Sequence, residues 1–245
     1  MESYIKHGDC LKVMKDIPDK SIDMILCDLP YGTTQCKWDI VIPFDQLWGQ
    51  YHRVVKDNAA IVLFGAEPFA SRLRLSNLQM YKYDWIWDKV KGTGFLNAKK
   101  QPMRNHEVIC VFYKNQCTYN PQMTVGKRKK SYRRKELQTA VYGRVDKDCI
   151  YDSSERYPRS IQVFSPDTQK CSLHPTQKPV ALLEYLILTY TNEYDIVLDN
   201  CMGSGSTCIA AQNTNRKYIG IELDKSIFNT AKERIKRNKT QLKLF

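Results

Sequence analysis

The chain has 245 residues, 42% hydrophobic and 26% charged, which excludes fibrous, collagen-like and wholly disordered proteins and allows one sizeable core. Lys and Arg number 38 against 26 acids, a formal charge of +12, so polyanions are the favoured partners and nucleic acid the leading one. No window reaches the roughly 18 apolar residues that a membrane span needs, and the opening MESYIKHGDCLKVMKDIPDK carries acids and no apolar stretch; the expectation is a soluble, cytoplasmic protein.

Taken in chain order, short runs rich in Val, Ile and Tyr predict strands at residues 4–7, 22–27, 60–64, 83–87, 108–113, 195–198 and 218–222. Segments of helical period at 10–16, 44–55, 67–78, 180–191, 206–213 and 226–238 separate them, with Pro43, Pro68 and Pro179 suited to helix starts. Strands alternating with helices predict an α/β fold, a mostly parallel seven-stranded sheet with helices on both faces. Between about Asn115 and Lys170 the alternation stops, and the stretch is polar, basic and dotted with Tyr. The predicted organisation is therefore one domain in two halves, 1–114 and 171–245, with 115–170 inserted. Nine scattered cysteines, several inside apolar runs and none in C-x-x-C spacing, read as reduced thiols, and no metal site is predicted.

The run Asp195-Ile-Val-Leu-Asp199-Asn-Cys-Met-Gly203-Ser-Gly205-Ser-Thr207 is a strand, a glycine turn and a helix start. Gly203 and Gly205 let backbone N–H groups approach a ligand closely, and Glu222, 19 residues beyond Gly203, stands at the usual reach to a ribose diol. A dinucleotide site would want a third Gly where Cys208 stands, and no P-loop occurs. Acids on two adjacent strand tips suit a cofactor with a cationic amino-acid part and a ribose, which points to S-adenosylmethionine. At the end of another strand, Asp28-Leu29-Pro30-Tyr31 sets a carboxylate, a rigid turn and an aromatic where an open sheet holds its active site. Such a corner suits methyl transfer to an exocyclic amine. The Asp28 carboxylate and the Leu29 carbonyl would accept both N–H bonds, Pro30 would aim them, and Tyr31 would stack on a base withdrawn from the duplex.

Three segments, Asp28-Leu-Pro-Tyr31, His174-Pro-Thr-Gln-Lys178-Pro and Asp199-Asn-Cys-Met-Gly203-Ser-Gly205-Ser, resemble motifs of the DNA amino-methyltransferases, and their order resembles the circularly permuted beta group of that family. The resemblance implies a Rossmann-like methyltransferase fold, with S-adenosylmethionine held by Asp9, Cys10, Asp28, Thr176, Lys178, Asp199, Cys201, Gly203, Ser204, Gly205, Glu222 and Leu223. In it Asp9 reads the cofactor's adenine, Glu222 takes the ribose, and Thr176 and Lys178 close over the methionine part. Leu29 replaces the motif's first Pro, and Asn200-Cys201 replaces its Pro-Phe, which alters the packing under the cofactor. Asp in the first motif position favours adenine over cytosine. The resemblance further names DNA as substrate, with a second copy of the chain and a cognate restriction endonuclease as candidate partners.

The family keeps its target-recognition region in the insertion. Here Lys127, Arg128, Lys129, Lys130, Arg133, Arg134 and Lys135 cluster around Tyr132, with no acid between Val108 and Lys135, and are predicted to contact DNA phosphates. The loop 91–105 is noted only for its basic charge and glycines, and His106-Glu107 as structural. The sequence thus predicts a site-specific DNA adenine N6-methyltransferase. N4-cytosine methylation is the enzymatic rival, an RNA substrate is more distant, and a non-catalytic DNA-binding protein of the same fold is the rival from another class. A nicotinamide oxidoreductase is disfavoured by the missing glycine.

Overall fold

The computed structural model describes residues 1–33, 39–133, 149–166 and 177–242. In chain order the elements are β1 (Tyr4–His7), α1 (Cys10–Val13) running into a 3-10 turn (Met14–Asp16), β2 (Ile22–Cys27), α2 (Phe44–Val54), β3 (Val55–Gly65), α3 (Phe69–Ser76) and β4 (Tyr81–Thr93). A 3-10 turn (Phe95–Asn97) leads to β5 (Arg104–Phe112), β6 (Thr124–Arg133), β7 (Cys149–Arg156), β8 (Ile161–Val163), α4 (Val180–Tyr190), β9 (Ile196–Asp199), α5 (Ser206–Asn213), β10 (Lys217–Glu222) and α6 (Lys225–Leu242). No helix among the described residues is long and apolar enough to cross a membrane.

The larger unit, Met1–Asn120 with Ser160–Phe245, is built on an eight-stranded sheet of order β1-β10-β9-β2-β3-β5-β4-β8. The five strands from β1 to β3 are parallel, and β5 runs antiparallel to both of its neighbours. All seven expected strands are present. The eighth, β8, adds to β4 at the edge; three residues with only Gln162 partly covered carry no alternation from which to predict it. The expected helix over 10–16 is also subdivided, because the chain tightens into the 3-10 turn at Met14.

Strand periodicity sorts the core into two layers. Ile25 and Cys27 of β2 face Leu47, Trp48, Tyr51 and Val54 of α2 on one side, whereas Met24 and Leu26 face Leu182, Leu186 and Ile187 of α4 on the other. Helix α5 is buried along Ser206–Ala211, pressed between the sheet and α6, so its small side chains are a packing requirement. The smaller unit, Pro121–Arg159, is the antiparallel pair β6–β7. Residues 115–120 and 160–166 belong instead to the larger unit. Cys10, Cys27, Cys110, Cys117, Cys201 and Cys208 are free thiols; Cys36 and Cys171 lie outside the described residues, as does the side chain of Cys149.

The close approach at Gly220, in the middle of β10, is a test of this packing. A Cβ there would strike Met202 and lie 2.8 Å from the Cys208 sulfur. Gly220→Ala is therefore expected to destabilise the protein by about 1–3 kcal/mol. Gly49→Ala, in α2 with nothing within 4 Å of the new carbon, should stabilise it by about 0.5–1 kcal/mol. Denaturant midpoints of the two variants measure both effects.

Candidate active site

The carboxyl ends of β1, β10, β9 and β2 lie side by side in the sheet, and the turns that leave them line one cavity of about 600 Å³, a size typical of small-molecule and cofactor sites. Register makes this adjacency specific: Ile25 of β2 pairs with Leu198 of β9, so Asp28 and Asp199 emerge from neighbouring tips. His7 pairs with Glu222, which sets Asp9 beside the end of β10.

Three acids on this wall are held by backbone N–H groups before any ligand arrives. Asp9 caps α1, its Oδ1 accepting from the Leu11 N–H at 2.9 Å. Glu222 accepts from the Gly203 N–H at 2.9 Å and the Asp224 N–H at 2.8 Å. Burial raises its carboxyl above the usual glutamate range, partly offset by those donors. Two of a carboxylate's roughly four acceptor positions remain for a diol. Asp199 is buried and accepts from the Cys201 N–H at 3.1 Å. Burial pushes its carboxyl up to about 6, with hydrogen bonds from Thr207 and the Cys201 backbone working the other way.

The glycine turn divides its labour. Gly203 (φ +52°) borders the cavity, and a Cβ there would meet open space. Gly205 (φ +81°) is not on the cavity wall; its α-carbon presses against α6, where a Cβ would come within 2.9 Å of Ile235. Beneath the turn, the Tyr51 hydroxyl donates to Asn200 Oδ1 at 2.6 Å and Asn200 Nδ2 reaches the Cys201 sulfur at 3.5 Å. The Asn200-Cys201 departure from the family motif is thus satisfied by a buried tyrosine from α2. The nearby Cys201 thiol and burial push the Cys10 thiol well above its ordinary value, and burial pushes the neighbouring Cys27 thiol up to about 12. Protonated thiols of this kind are inert as nucleophiles.

The Asp28 corner is organised by a buried cation. Asp28 Oδ1 accepts from the Tyr31 hydroxyl at 2.7 Å, and Oδ2 lies 2.6 Å from Lys178 Nζ. The same ammonium is 3.1 Å from Glu107 Oε2, and Glu107 is paired in turn with Lys89. Burial alone would lower the Lys178 ammonium, but Asp28 and Glu107 outweigh it and hold it above the usual lysine range. Burial likewise lifts Glu107, and Lys178 and Lys89 overcome that and keep it below the usual glutamate range. Tyr31 stacks on Phe69 at 4.8 Å with a 22° tilt, and burial beside Asp28 raises its phenol well above its ordinary value. Leu29 is buried in the core and Pro30 lines the cavity.

The structure brings Asp9, Cys10, Asp28, Lys178, Asp199, Cys201, Gly203, Ser204, Glu222 and Leu223 to one cavity. Thr176 lies outside the described residues. Glu107 and Lys89 are additions that sequence reasoning did not make. Their signal is parity: Glu107 pairs with Trp87 across the sheet and shares the face of Ile109 and Val111, both core residues, so an acid stands at an inward position.

In the smaller unit, Arg128 donates to both oxygens of Asp152 at 2.8 and 3.2 Å. Lys127, Lys129 and Lys130 are exposed on the same strand. Arg133 belongs to β6, and Arg134 and Lys135 lie outside the described residues.

Comparison with known proteins agrees with this geometry. Among solved structures, the complex of M1.HpyAVI with SAM superposes with a TM-score of 0.65 at 26% identity, covering 94% of this chain and 98% of that one. The cytosine-N4-specific PvuII DNA methyltransferase shares the fold at TM-score 0.67 and 15% identity, over 98% and 92% of the two chains. The class is therefore that of α/β methyltransferases. The family model of the N6/N4-type DNA methylases matches residues 22–233, and the chain belongs to that family. Similar curated proteins include the type II methyltransferase M.HpaI of Haemophilus parainfluenzae, 28% identical over 96% of this chain and 74% of the relative. The DNA adenine methyltransferase YhdJ of Escherichia coli is 29% identical over 90% of this chain and 78% of its own length.

The raised Asp199 carboxyl has a consequence for stability. An acid whose pKa rises on folding holds its proton more tightly in the native state, so stability falls as pH climbs from about 4 to about 6 and stays reduced above that. A rise from 3.8 to about 6 corresponds to a penalty on the order of 3 kcal/mol at neutral pH. Asp199→Asn is expected to raise the thermal midpoint at pH 7.5 and to lose that advantage at pH 4; an advantage of the same size at both pH values contradicts the assignment.

Proposed function

We propose that this DNA methyltransferase transfers a methyl group from S-adenosylmethionine to N6 of an adenine withdrawn from DNA. The reading rests on one observation above all: the Asp28 carboxylate, anchored by Tyr31 and Lys178, opens into the same cavity as the Gly203 turn and Glu222. The cavity fits the cofactor by size and by chemistry, with acids where a ribose diol and an amino group need acceptors and an open glycine face between them.

Bound S-adenosylmethionine supplies an electrophilic methyl group on a sulfonium sulfur. Glu222 would accept from the ribose hydroxyls, and Asp199 would face the cationic amino group, whose charge would favour its ionised form. Adenine N6 is a weak nucleophile because its lone pair is delocalised into the ring. The Asp28 carboxylate and the Leu29 carbonyl would accept its two N–H bonds, which favours a pyramidal nitrogen and stabilises the positive charge that develops there. Asp28 would take the surplus proton that N6 carries once it has gained the methyl group and release it to solvent, the sulfonium leaving as a neutral thioether. Lys178 holds the Asp28 carboxylate in place through the ion pair and, with its ammonium above the usual lysine range, gives up no proton itself. With the described thiols protonated, direct in-line attack needs no covalent enzyme intermediate.

Adenine is preferred because Asp occupies the first position of the D-L-P-Y corner, and YhdJ, with its adenine-specific name, is similar over most of this chain. Cytosine N4 methylation would use the same corner and differs in its product. A second copy of the chain and a partner endonuclease stay as proposals carried by the family resemblance alone.

Asp28→Ala is expected to reduce methyl transfer to DNA by about a hundredfold or more while the dissociation constant for S-adenosylmethionine changes less than about threefold; isothermal titration and radiolabel transfer give the two numbers, and appreciable residual transfer contradicts the role. The three lysines of β6 carry a separate expectation. Replacing Lys127, Lys129 and Lys130 by Gln should make the plot of log affinity for DNA against log salt shallower by about two to three. An unchanged slope removes them from the phosphate contacts.

A further inference from the structure

The β4–β5 connection is the most exposed apolar feature of the larger unit. Residues 90–105 contain no acid and carry Lys91, Lys99, Lys100 and Arg104. At their tip Phe95 and Leu96 stand 78% and 96% exposed, next to each other on one 3-10 turn. An adjacent aromatic and aliphatic pair this open to water is a liability in a free chain and marks an interaction surface. The flanking charge selects the partner: protein interfaces are depleted of Lys, whereas a cationic rim around an apolar point suits a polyanion with an apolar interior, which is the description of a stacked duplex.

Position ties this tip to the catalytic cavity. Trp87, Lys89 and Thr93 of β4 and Glu107 of β5 all line that cavity, so the hairpin rises from its wall. Phe95 follows Thr93 by two residues, about 7 Å of extended chain at most. The ladder is interrupted by a register shift between Asp88 and Thr93 and resumes with Thr93 opposite Arg104, where the Thr93 hydroxyl donates to the Arg104 carbonyl at 3.0 Å, so the segment that carries the apolar pair is closed at its base.

We propose that the β4–β5 hairpin is a wedge: Phe95 and Leu96 enter the base stack at the point from which the target base is withdrawn, while Lys91, Lys99, Lys100 and Arg104 hold the adjacent phosphates. The inference deepens the base-withdrawal reading above and rests on it. The wedge refills stacking surface that withdrawal empties, so it matters most when the target base is paired and stacked, and least when it is already loose.

The experiment first locates the enzyme's own methylation site by modification sequencing of plasmid DNA. Single-turnover transfer is then measured on two duplexes carrying that site, one fully paired and one with the target base opposite an abasic position. Phe95→Ala/Leu96→Ala should slow transfer to the paired duplex by about tenfold or more and leave the abasic duplex within about threefold of wild type. Phe95→Trp, with a larger stacking face, should restore the paired substrate in the Leu96→Ala background. Both truncated side chains face solvent, so the core is untouched. Equal losses on both duplexes, or none on either, overturn the wedge. Unchanged transfer together with lost sedimentation on phosphatidylserine vesicles overturns it as well and assigns the tip to a lipid surface. Plasmid DNA left unmodified by the wild-type enzyme at the first step overturns the transferase reading itself, and the wedge with it.

Discussion

A carboxylate withdrawn wholly or partly from water must be paired, hydrogen-bonded or protonated, and this fold gathers four such groups, one buried and three partly buried, at one end of a sheet. Each meets the constraint differently. Glu222 takes two backbone N–H groups. Asp199 takes the Cys201 N–H and gives up part of its acidity to burial. Asp28 and Glu107 share the ammonium of Lys178, and Lys89 completes an alternating chain of charges, Lys89–Glu107–Lys178–Asp28. Because removing one member of a buried pair strands the other, the orientation of Asp28 is fixed through four separate parts of the chain, the end of β2, β4, β5 and the approach to α4. The corner is organised by the protein's own side chains, which is what differential stabilisation of a developing charge requires.

The sheet order makes that gathering possible. In the chain, Asp28 and Asp199 are 171 positions apart, yet β2 and β9 are direct neighbours in register. The crossover between them also divides the two tasks of the site, with the β1, β10 and β9 tips forming one part of the cavity and the β2 tip the other. The antiparallel pair β4–β5 then extends the wall past the sheet toward its exposed tip.

Much of this was legible from residues alone, for identifiable reasons. β1, β2 and α5 were bounded correctly because each is flanked by a strong punctuator: Gly8-Asp9, the Asp28-Leu-Pro turn and the glycine turn at 203–205. What escaped was whatever lacks a buried face or depends on distant partners. β6 and β7 form a two-stranded ribbon whose residues are exposed on both sides along 124–132, so no alternation announces them. Lys178 was placed near the cofactor's methionine part, and its contact with Asp28 became visible only when α4 was set against the sheet. Gly205 carries the same local signature as Gly203 but turns its α-carbon toward α6, a distinction made by packing against Ile235. Glu107 looked structural beside His106, and its parity with Ile109 and Val111 was the signal to weigh more heavily.

The central claim is that the Asp28 corner presents an exocyclic purine amine to the donor held at the Gly203 turn. It is tested most directly by incubating the enzyme with S-adenosylmethionine labelled in its methyl group and with mixed-sequence DNA, then digesting the DNA to nucleosides and locating the label. The account predicts the label in N6-methyldeoxyadenosine. Label in N4-methyldeoxycytidine would contradict the assignment of the purine, and DNA without label would contradict the corner itself.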